Sequence, residues 1–287
     1  MNGPDMERVA RAYLMGAHSP GDEEVAALVA ESGPVVAARV TAVSTGAIWM
    51  SAAAELARAE TSRLRLAIPE DDEWPVRLSA PLPTDSRVTG TAPPLGLWVR
   101  GSARLDRLLA RAVTVAGASA ATPYGQKAAF DLGRELTGAG WTVITSGSFG
   151  ISGSVIRGAL AARGPVLVLP PAPLPVTVPI GHRLLFGKVA WDGLLLTESM
   201  PGRPAGDGAA SRQTQLAAGL AAAVVLIEPR PRGLDRRLVH LATSAGRLLL
   251  AYPGPVERPG SAYAHHLTGK MDRNVGMVPP PRVLARR

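Results

Sequence analysis

Two loops rich in glycine and hydroxyl residues carry the groups best suited to chemistry. The segment VTVAGASAATPYG spans residues 113–125, and ITSGSFGISGSVIRGAL follows at residues 144–160. Each begins with a short apolar run typical of a strand, continues as a Gly/Ser loop and ends where a helix is predicted to start. In α/β proteins this order presents backbone N–H groups to a phosphate. Two such loops predict one binding site for an anionic ligand.

Glycines and hydroxyl side chains in these loops are the candidate phosphate ligands. Gly117, Gly147 and Gly150 lack a Cβ, so backbone amides can approach a phosphate closely. The hydroxyl groups add donors that position a phosphate without specifying a base. The hydroxyl candidates are Ser119, Thr122, Ser146, Ser148 and Ser152. Turn geometry alone is the alternative explanation of the glycines.

Length and composition indicate a globular protein. The chain has 287 residues, of which 46% are apolar and 19% charged, enough for a main domain with a smaller one beside it. The apolar run at residues 216–228 is interrupted by Gly219 and falls short of the roughly 20 residues of a membrane span. Asp5 and Glu7 stand where a signal peptide has basic residues. We therefore expect a cytoplasmic protein that does not enter a membrane.

The cysteine and charge content narrows the choice of ligand. The chain has no cysteine, and its five histidines lack a metal-binding spacing such as HExxH, so we expect no metal or other cofactor. Residues 230–287 contain 11 Lys and Arg against 3 Asp and Glu, whereas residues 1–229 contain 20 of each class. A positive segment of this kind attracts phosphate backbones. A solubilising role is the alternative.

Hydrophobic patterning divides the chain into four parts. Residues 1–66 show helical periodicity and predict a small helical domain. Residues 67–111 are rich in proline and acidic side chains, and we interpret them as a linker with an edge strand at residues 95–101. Residues 112–275 alternate strands and helices, which predicts an α/β, Rossmann-like, doubly wound and mostly parallel sheet. Residues 276–287 are predicted to be a disordered basic tail.

The predicted strands of the main domain are short and most are apolar runs, as is typical of parallel strands covered on both faces. They lie at residues 113–116, 142–145, 166–169, 194–197, 224–228 and 248–251. Ligands of such sheets bind at the carboxyl ends of the strands. Both Gly/Ser loops are expected at that edge.

Short motifs along nearly the whole chain occur in the order found in one protein family. They are DEWP at 72–75, PPLGLWVRG at 93–101, ATPYG at 121–125, GISG and RGAL within 150–160, PIGH at 179–182, LLLTE at 194–198, AGLAAAVVLIE at 218–228, AGR at 245–247, and YPGPV and SAYAHHL within 252–267. On these motifs the chain resembles the DprA (DNA-processing protein A) family, particularly its actinobacterial members.

This resemblance implies an extended Rossmann domain behind a small helical domain, and a homodimer. It also implies binding of single-stranded DNA and loading of a RecA-type recombinase during DNA uptake, transformation or recombinational repair. The family is not known as an enzyme, so no catalytic residue is expected. Many relatives add a C-terminal winged-helix domain, which we do not expect in a chain of this length.

Several positions of this chain have neutral residues where the family has charged ones. Where the family has the Arg of GSR or GAR, this chain has Ser119, and a charge-assisted contact becomes neutral. The Asp of the family's GID motif is replaced by Ser152. A basic RNR motif is replaced by residues that include Gln213 and Gln215, which leaves Arg212 as the nearby cation. Fewer cations predict weaker and less salt-dependent DNA binding.

Other side chains are expected to compensate for this loss. Lys127, Arg157 and Arg236 can supply positive charge, and Tyr124 and Phe149 can stack on a base. Packing at a helix start is the alternative role of Tyr124, and a surface ion pair is the alternative role of Arg157.

Functions of other classes stay open at this point. Residues 117–121 approximate a GxSxG nucleophile elbow, in which Ser119 would need a carboxylate and a histidine. The candidates for these two partners are Glu198 or Glu228 with His240 or His265. A binding protein or hydrolase for a nucleotide or phosphoribosyl ligand is another alternative, and a paralogue that has lost DNA binding is a third.

Overall fold

One nine-stranded sheet organises the residues that the computed structural model describes, which are 3–42, 45–84, 90–206, 208–252, 259–269 and 275–277. The strands are β1 Leu64–Ala67, β2 Leu97–Arg100, β3 Ala112–Gly117, β4 Thr142–Thr145, β5 Val166–Val168, β6 Leu194–Thr197, β7 Ala223–Ile227, β8 Leu248–Tyr252 and β9 Val275–Met277. Their order across the sheet is β1-β2-β6-β5-β4-β3-β7-β8-β9. The seven strands from β6 to β9 are parallel, whereas β1 and β2 are antiparallel to their neighbours.

Helices precede the sheet and connect most of its strands. They are α1 Gly3–Ala17, α2 Glu23–Ser32, α3 Pro34–Thr41, α4 Thr45–Thr61, α5 Leu105–Leu109, α6 Pro123–Gly138, α7 Ile151–Ala161, α8 Arg183–Asp192, α9 Ala209–Leu220, α10 Gly233–Ser244 and α11 Pro259–Gly269. None of the described helices is long and apolar enough to cross a membrane.

Both faces of the sheet are covered by helices. On one face, α6, α7 and α8 bury apolar residues such as Leu132, Val155 and Phe186 against the strands. On the other face, α5, α9 and α10 do the same with residues such as Leu216 and Leu241. The sheet is therefore doubly wound and Rossmann-like, as the alternation of elements predicts. Apolar strands are stable there because neither face meets water.

The N-terminal helices form a small cluster that is fixed to the sheet by arginines. α1, α2 and α3 bury a separate group of apolar side chains. Arg11 binds Glu70 through two hydrogen bonds of 2.7 Å, and Arg8 binds Asp71 at 2.7 Å. Burial acts to raise the pKa of Asp71, but hydrogen bonds from Arg8 and the Ile68 amide outweigh it and hold that pKa below its ordinary value.

The structure corrects two predicted features. Residues 97–100 are not an edge strand, because β1 pairs antiparallel outside β2 and forms the edge itself. The prediction places residues 64–66 in the helical domain and residue 67 in the linker, because four residues directly after a helical pattern are too few to show a strand. Gly276 and Met277, predicted as tail, belong to β9, and residues 278–287 lie outside the described residues. The other boundaries of the four predicted parts stay predictions.

Candidate functional site

The two Gly/Ser loops meet at the carboxyl edge of the sheet, at the point where the strand order reverses. The chain leaves β3 for β4 on one side and later returns to β7 on the other, which creates a crevice beyond the strand ends. The Ile151 amide donates to the Ala118 carbonyl at 3.1 Å and so joins the two loops. This is the arrangement that the sequence predicts.

Glycines are required where the loops come together. Gly150 has a φ of 67°, and a Cβ there would lie 2.3 Å from the Ala118 carbonyl oxygen. Gly147 has a φ of 76°, and its Cβ would lie 2.5 Å from the ring of Phe186. A Cβ at Gly117 would lie 1.8 Å from the Ile227 carbonyl oxygen. These positions need both the conformation and the small size of glycine.

A carboxylate from within the chain occupies the N-terminus of α6. The Thr122 amide donates to Glu228 Oε2 at 2.9 Å, and the Thr122 hydroxyl donates to Oε1. Thr122 also caps the helix, since its Oγ1 accepts from the Gly125 amide at 3.2 Å. A Cβ at Gly125 would lie 2.5 Å from the Glu228 carboxylate, so this position also requires glycine. The charge of Glu228 thus stabilises the positive end of the helix dipole.

The N-terminus of α7 is arranged differently. Its N-cap is Gly150, and no side chain among the described residues caps it. The amides of Ser152 and Gly153, which a capping side chain normally binds, are therefore left for another acceptor.

Three serine hydroxyls cluster beside this helix end. Ser146 Oγ lies 2.9 Å from Ser152 Oγ and donates to Ser148 Oγ at 3.1 Å, and Ser148 Oγ donates to Ser152 Oγ at 3.2 Å. The Thr145 hydroxyl also donates to Ser152 at 3.0 Å. Hydroxyl groups can rotate to donate to an anion, so the cluster and the two amides form one set of neutral donors.

A cavity of about 190 Å³ opens between the two loops, α9 and α10. The hydroxyl side chains on its wall are Thr114, Ser119, Thr145, Ser146, Ser148, Ser152 and Thr214. Proline and valine from residues 171–179 form another side. Arg230 lies on the wall with Asp235, whose carboxylate accepts from the Arg230 amide at 2.9 Å and from its Nε at 3.2 Å. This pair leaves the cavity with little net charge.

Aromatic and cationic side chains lie at the rim. Phe149 is 53% exposed, and its ring meets the buried His182 ring edge-on at 4.8 Å between centroids. Arg157 is exposed on α7, and its Nη1 would be 3.1 Å from a Cβ at Gly153. Lys127 is exposed but donates to Asp131 at 2.6 Å, and this hydrogen bond raises its pKa.

Two further residues predicted to bind DNA, Tyr124 and Arg236, lie on α6 and α10. Tyr124 is 38% exposed at the start of α6. It is close enough to influence Tyr252 at the end of β8, whose pKa is raised mainly by burial. Arg236 is exposed on α10 and is not among the residues that line the cavity.

The three residues predicted on α9 all bind partners within the chain, although Gln213 also lines the cavity. Arg212 is 5% exposed and forms a two-point ion pair with Glu198, at 2.6 and 3.1 Å, so it supplies no free charge. Gln213 is buried and donates to the Leu169 carbonyl, and Gln215 donates to the Pro83 carbonyl at 3.2 Å. All residues of α9 from Arg212 to Leu220 are buried, so these polar side chains need hydrogen-bond partners within the chain.

The proposed Ser119 triad receives no support from the geometry. Its candidate acids have other partners, since Glu198 binds Arg212 and Glu228 binds Thr122. His240 is exposed on α10. Among the described residues there is also no cluster of three His, Asp or Glu that could hold a metal.

Glu228 and Arg230 are the site residues that the binding prediction missed. Glu228 ends an apolar strand and has a φ of 47°, which is unusual for a residue with a side chain. Its position as the first charged residue after β7, at the edge where ligands bind, was a usable signal. Arg230 follows Glu228 by two residues in the same loop after β7, and its side chain lines the cavity.

Comparison with known proteins identifies a family that this chain matches. A family model described as DNA recombination-mediator protein A matches residues 65–275. The DNA processing protein DprA of Mycobacterium tuberculosis is similar to this chain, with 36% identity over 273 residues, which cover 90% of this chain and 70% of that protein.

Two solved structures share the fold. DprA from Streptococcus pneumoniae superposes with a TM-score of 0.74 at 20% identity, covering 98% of this chain and 97% of the other. DNA processing protein A from Helicobacter pylori, described by its single-stranded DNA binding mode, gives a TM-score of 0.64 at 19% identity over 78% of this chain and 95% of the other.

Proposed function

Because the chain belongs to the DNA recombination-mediator protein A (DprA) family, we propose that it binds single-stranded DNA at the N-terminus of α7. The observation that carries this proposal is the uncapped start of α7 beside the hydroxyls of Ser146, Ser148 and Ser152. The family relationship and the solved H. pylori relative supply the class of ligand.

Each part of the site has a defined task in this proposal. The amides of Ser152 and Gly153 and the serine hydroxyls bind one phosphate of the strand. Phe149, exposed at the rim, stacks on a neighbouring base. Gly117 and Ser119 border the same cavity from the other loop. Phosphate contacts and stacking do not distinguish bases, so binding is independent of sequence.

The neutral character of the donors sets the strength of binding. A phosphate held by amides and hydroxyls gains less than one held by guanidinium groups, because neutral hydrogen bonds are roughly half as strong. Fewer cations also release fewer counterions. We therefore expect a shallow dependence of affinity on salt, with Arg157 on α7 as the main contributor of charge, since Arg230 is paired with Asp235.

The wider role follows from the family relationship. We infer that the protein works in the cytoplasm as a homodimer, hands its DNA to a RecA-type recombinase in DNA uptake, transformation or repair, and catalyses no reaction. Support for DNA over a free nucleotide comes from the cavity, whose 190 Å³ is below the roughly 300 Å³ of common small-molecule sites. A phosphate and part of a sugar fit such a cavity while the rest of a strand lies outside.

Fluorescence anisotropy with a labelled oligothymidylate at two salt concentrations tests the proposal. Ser148→Glu places a carboxylate at α7, as Glu228 does at α6, and should abolish binding. Ser79→Glu, an exposed serine after the short 3₁₀ turn Val76–Leu78, is the control with the same change of charge. No binding by the unmodified protein at low salt would overturn the proposal. So would competition by inorganic phosphate or a mononucleotide with no preference for the strand.

A further inference from the structure

Helix α8 has an exposed face that the phosphate site does not use. Its inner side buries Phe186 and Val189. On the outer side, Leu184 and Trp191 are each 79% exposed. They lie two helical turns apart on one face, with Lys188 between them. Paired large apolar side chains of this exposure indicate a contact surface.

The charges around this face are mainly positive. Arg183 and Lys188 are exposed on α8, and Arg157 is exposed on the neighbouring α7. Within the described part of the chain, none of these three cations forms an ion pair. Asp192, the last residue of α8, is the acidic residue of that helix. The face therefore attracts an anionic partner.

This face is continuous with the phosphate site. The Phe149 ring contacts His182, the residue before α8, and would be 3.4 Å from a Cβ at Gly181. From His182 the ten residues of α8 extend for about 15 Å, away from the carboxyl ends of the strands. Phe149 therefore lies beside the N-terminal end of α8.

We propose that α8 is a second contact segment for single-stranded DNA. Bases stack on Phe149 and Trp191, the Leu184 side chain packs against the sugar or base between them, and Arg183 and Lys188 bind phosphates. Exposed aromatic rings combined with unpaired cations hold single strands without sequence preference. A protein partner would have to bury these cations with opposite charges of its own, whereas a DNA strand supplies both the charge and the flat apolar surfaces. The inference rests on the proposed function, because α7 supplies the first contact.

The experiment compares oligothymidylates of about 4 and about 16 nucleotides, the range of single-strand site sizes. Trp191→Ala should weaken binding of the longer strand by about 5- to 20-fold and leave the shorter one unchanged. Trp191→Phe should retain most of the affinity, since a ring remains. Val76→Ala removes an 86% exposed side chain from the turn that packs on the other face of the sheet, and is the matched control.

Trp191 fluorescence gives an independent readout, since stacking on a base should quench its emission in the unmodified protein and not in Trp191→Phe. The inference on α8 is overturned, with the proposed function intact, if both oligonucleotides bind and Trp191→Ala changes neither. It is also overturned if Trp191→Ala alters only the elution volume in gel filtration, which indicates a protein contact. If neither oligonucleotide binds to the unmodified protein, both proposals fail together.

Discussion

The N-termini of α6 and α7 lie side by side at one sheet edge and follow similar loops. They differ in whether a side chain of the protein binds the helix end. At α6, Thr122 caps the helix and the Glu228 carboxylate accepts from both the Thr122 amide and its hydroxyl. At α7, Gly150 is the N-cap and no described side chain binds the helix end. Both helices offer the same positive dipole end.

This difference shows that a Gly/Ser loop before a helix can bind an anion. The loop alone does not determine whether that anion is a side chain of the protein or an external ligand. At α6 the anion is supplied by the protein, so that end has a structural role. At α7 the donors remain for an external ligand, and the serine cluster enlarges the set. Under the proposed function an oligonucleotide phosphate binds at α7, and a second phosphate at α6 would be repelled by Glu228.

The largest expected effect comes from Gly150→Ala. The added methyl meets the Ala118 carbonyl at 2.3 Å, and the φ of 67° disfavours alanine, so the two loops must separate. We expect a loss of about 2–4 kcal/mol in the free energy of unfolding and no measurable DNA binding. Denaturant unfolding and anisotropy measure the two effects. Gly138→Ala, where a Cβ meets no atom within 4 Å, should change neither.

Ser119→Arg tests whether missing charge limits the site. Ser119 is exposed at the rim of the cavity, so a longer side chain can be accommodated. A guanidinium there should tighten binding by about 10-fold and steepen the log–log salt dependence by about one unit. Anisotropy across a salt series gives both values. Ser119→Gln, of comparable length without charge, should leave the slope unchanged, and an equal gain from both variants would contradict the explanation.

Glu228→Gln tests whether the Glu228 carboxylate prevents a phosphate from binding at the N-terminus of α6. Neutralising the carboxylate leaves the shape of the side chain and removes its repulsion, so DNA affinity at low salt should rise by about 3- to 5-fold. The lost charge-assisted bonds to Thr122 should cost about 1–2 kcal/mol in the free energy of unfolding. Anisotropy and denaturant unfolding measure the two quantities. A stability loss accompanied by weaker DNA binding would argue against repulsion by Glu228.

The smallest effects are expected from a matched pair of hydroxyl deletions. Ser148→Ala removes a donor at α7 and should weaken DNA binding by about 3-fold with little change in stability. Thr122→Ala removes the cap of α6 and should cost about 1 kcal/mol in stability while leaving the DNA affinity unchanged. Thermal unfolding and anisotropy on both variants test this division. The reverse pattern would show that α6 holds the ligand.

Most of the scaffold could be predicted because its signals are local. β4 and β6 are short segments of apolar and threonine residues that are buried throughout, and both have the predicted bounds. In α6, the apolar positions Ala128, Leu132 and Leu136 recur on one face and are all buried. Parallel strands must end at a common edge, so the meeting of the two loops followed from the order of elements.

Other features depend on non-local partners that no local pattern predicts. Arg212 follows Glu198 by fourteen positions on another element, and their ion pair depends on how α9 packs against the end of β6. No pattern within either segment distinguishes a buried, paired arginine from an exposed one. Similarly, a four-residue strand such as β1 shows its identity only through pairing with β2.

The amino-acid sequence alone determined the doubly wound sheet, the two glycine-lined turns and their common edge, because apolar periodicity and turn chemistry act between near neighbours in the chain. Only the tertiary structure decided which helix end is available. Glu228 lies 106 residues from Thr122 and reaches it because β7 packs beside β3. A carboxylate stabilises a helix dipole only at contact distance, and contact between distant residues is a property of the folded chain.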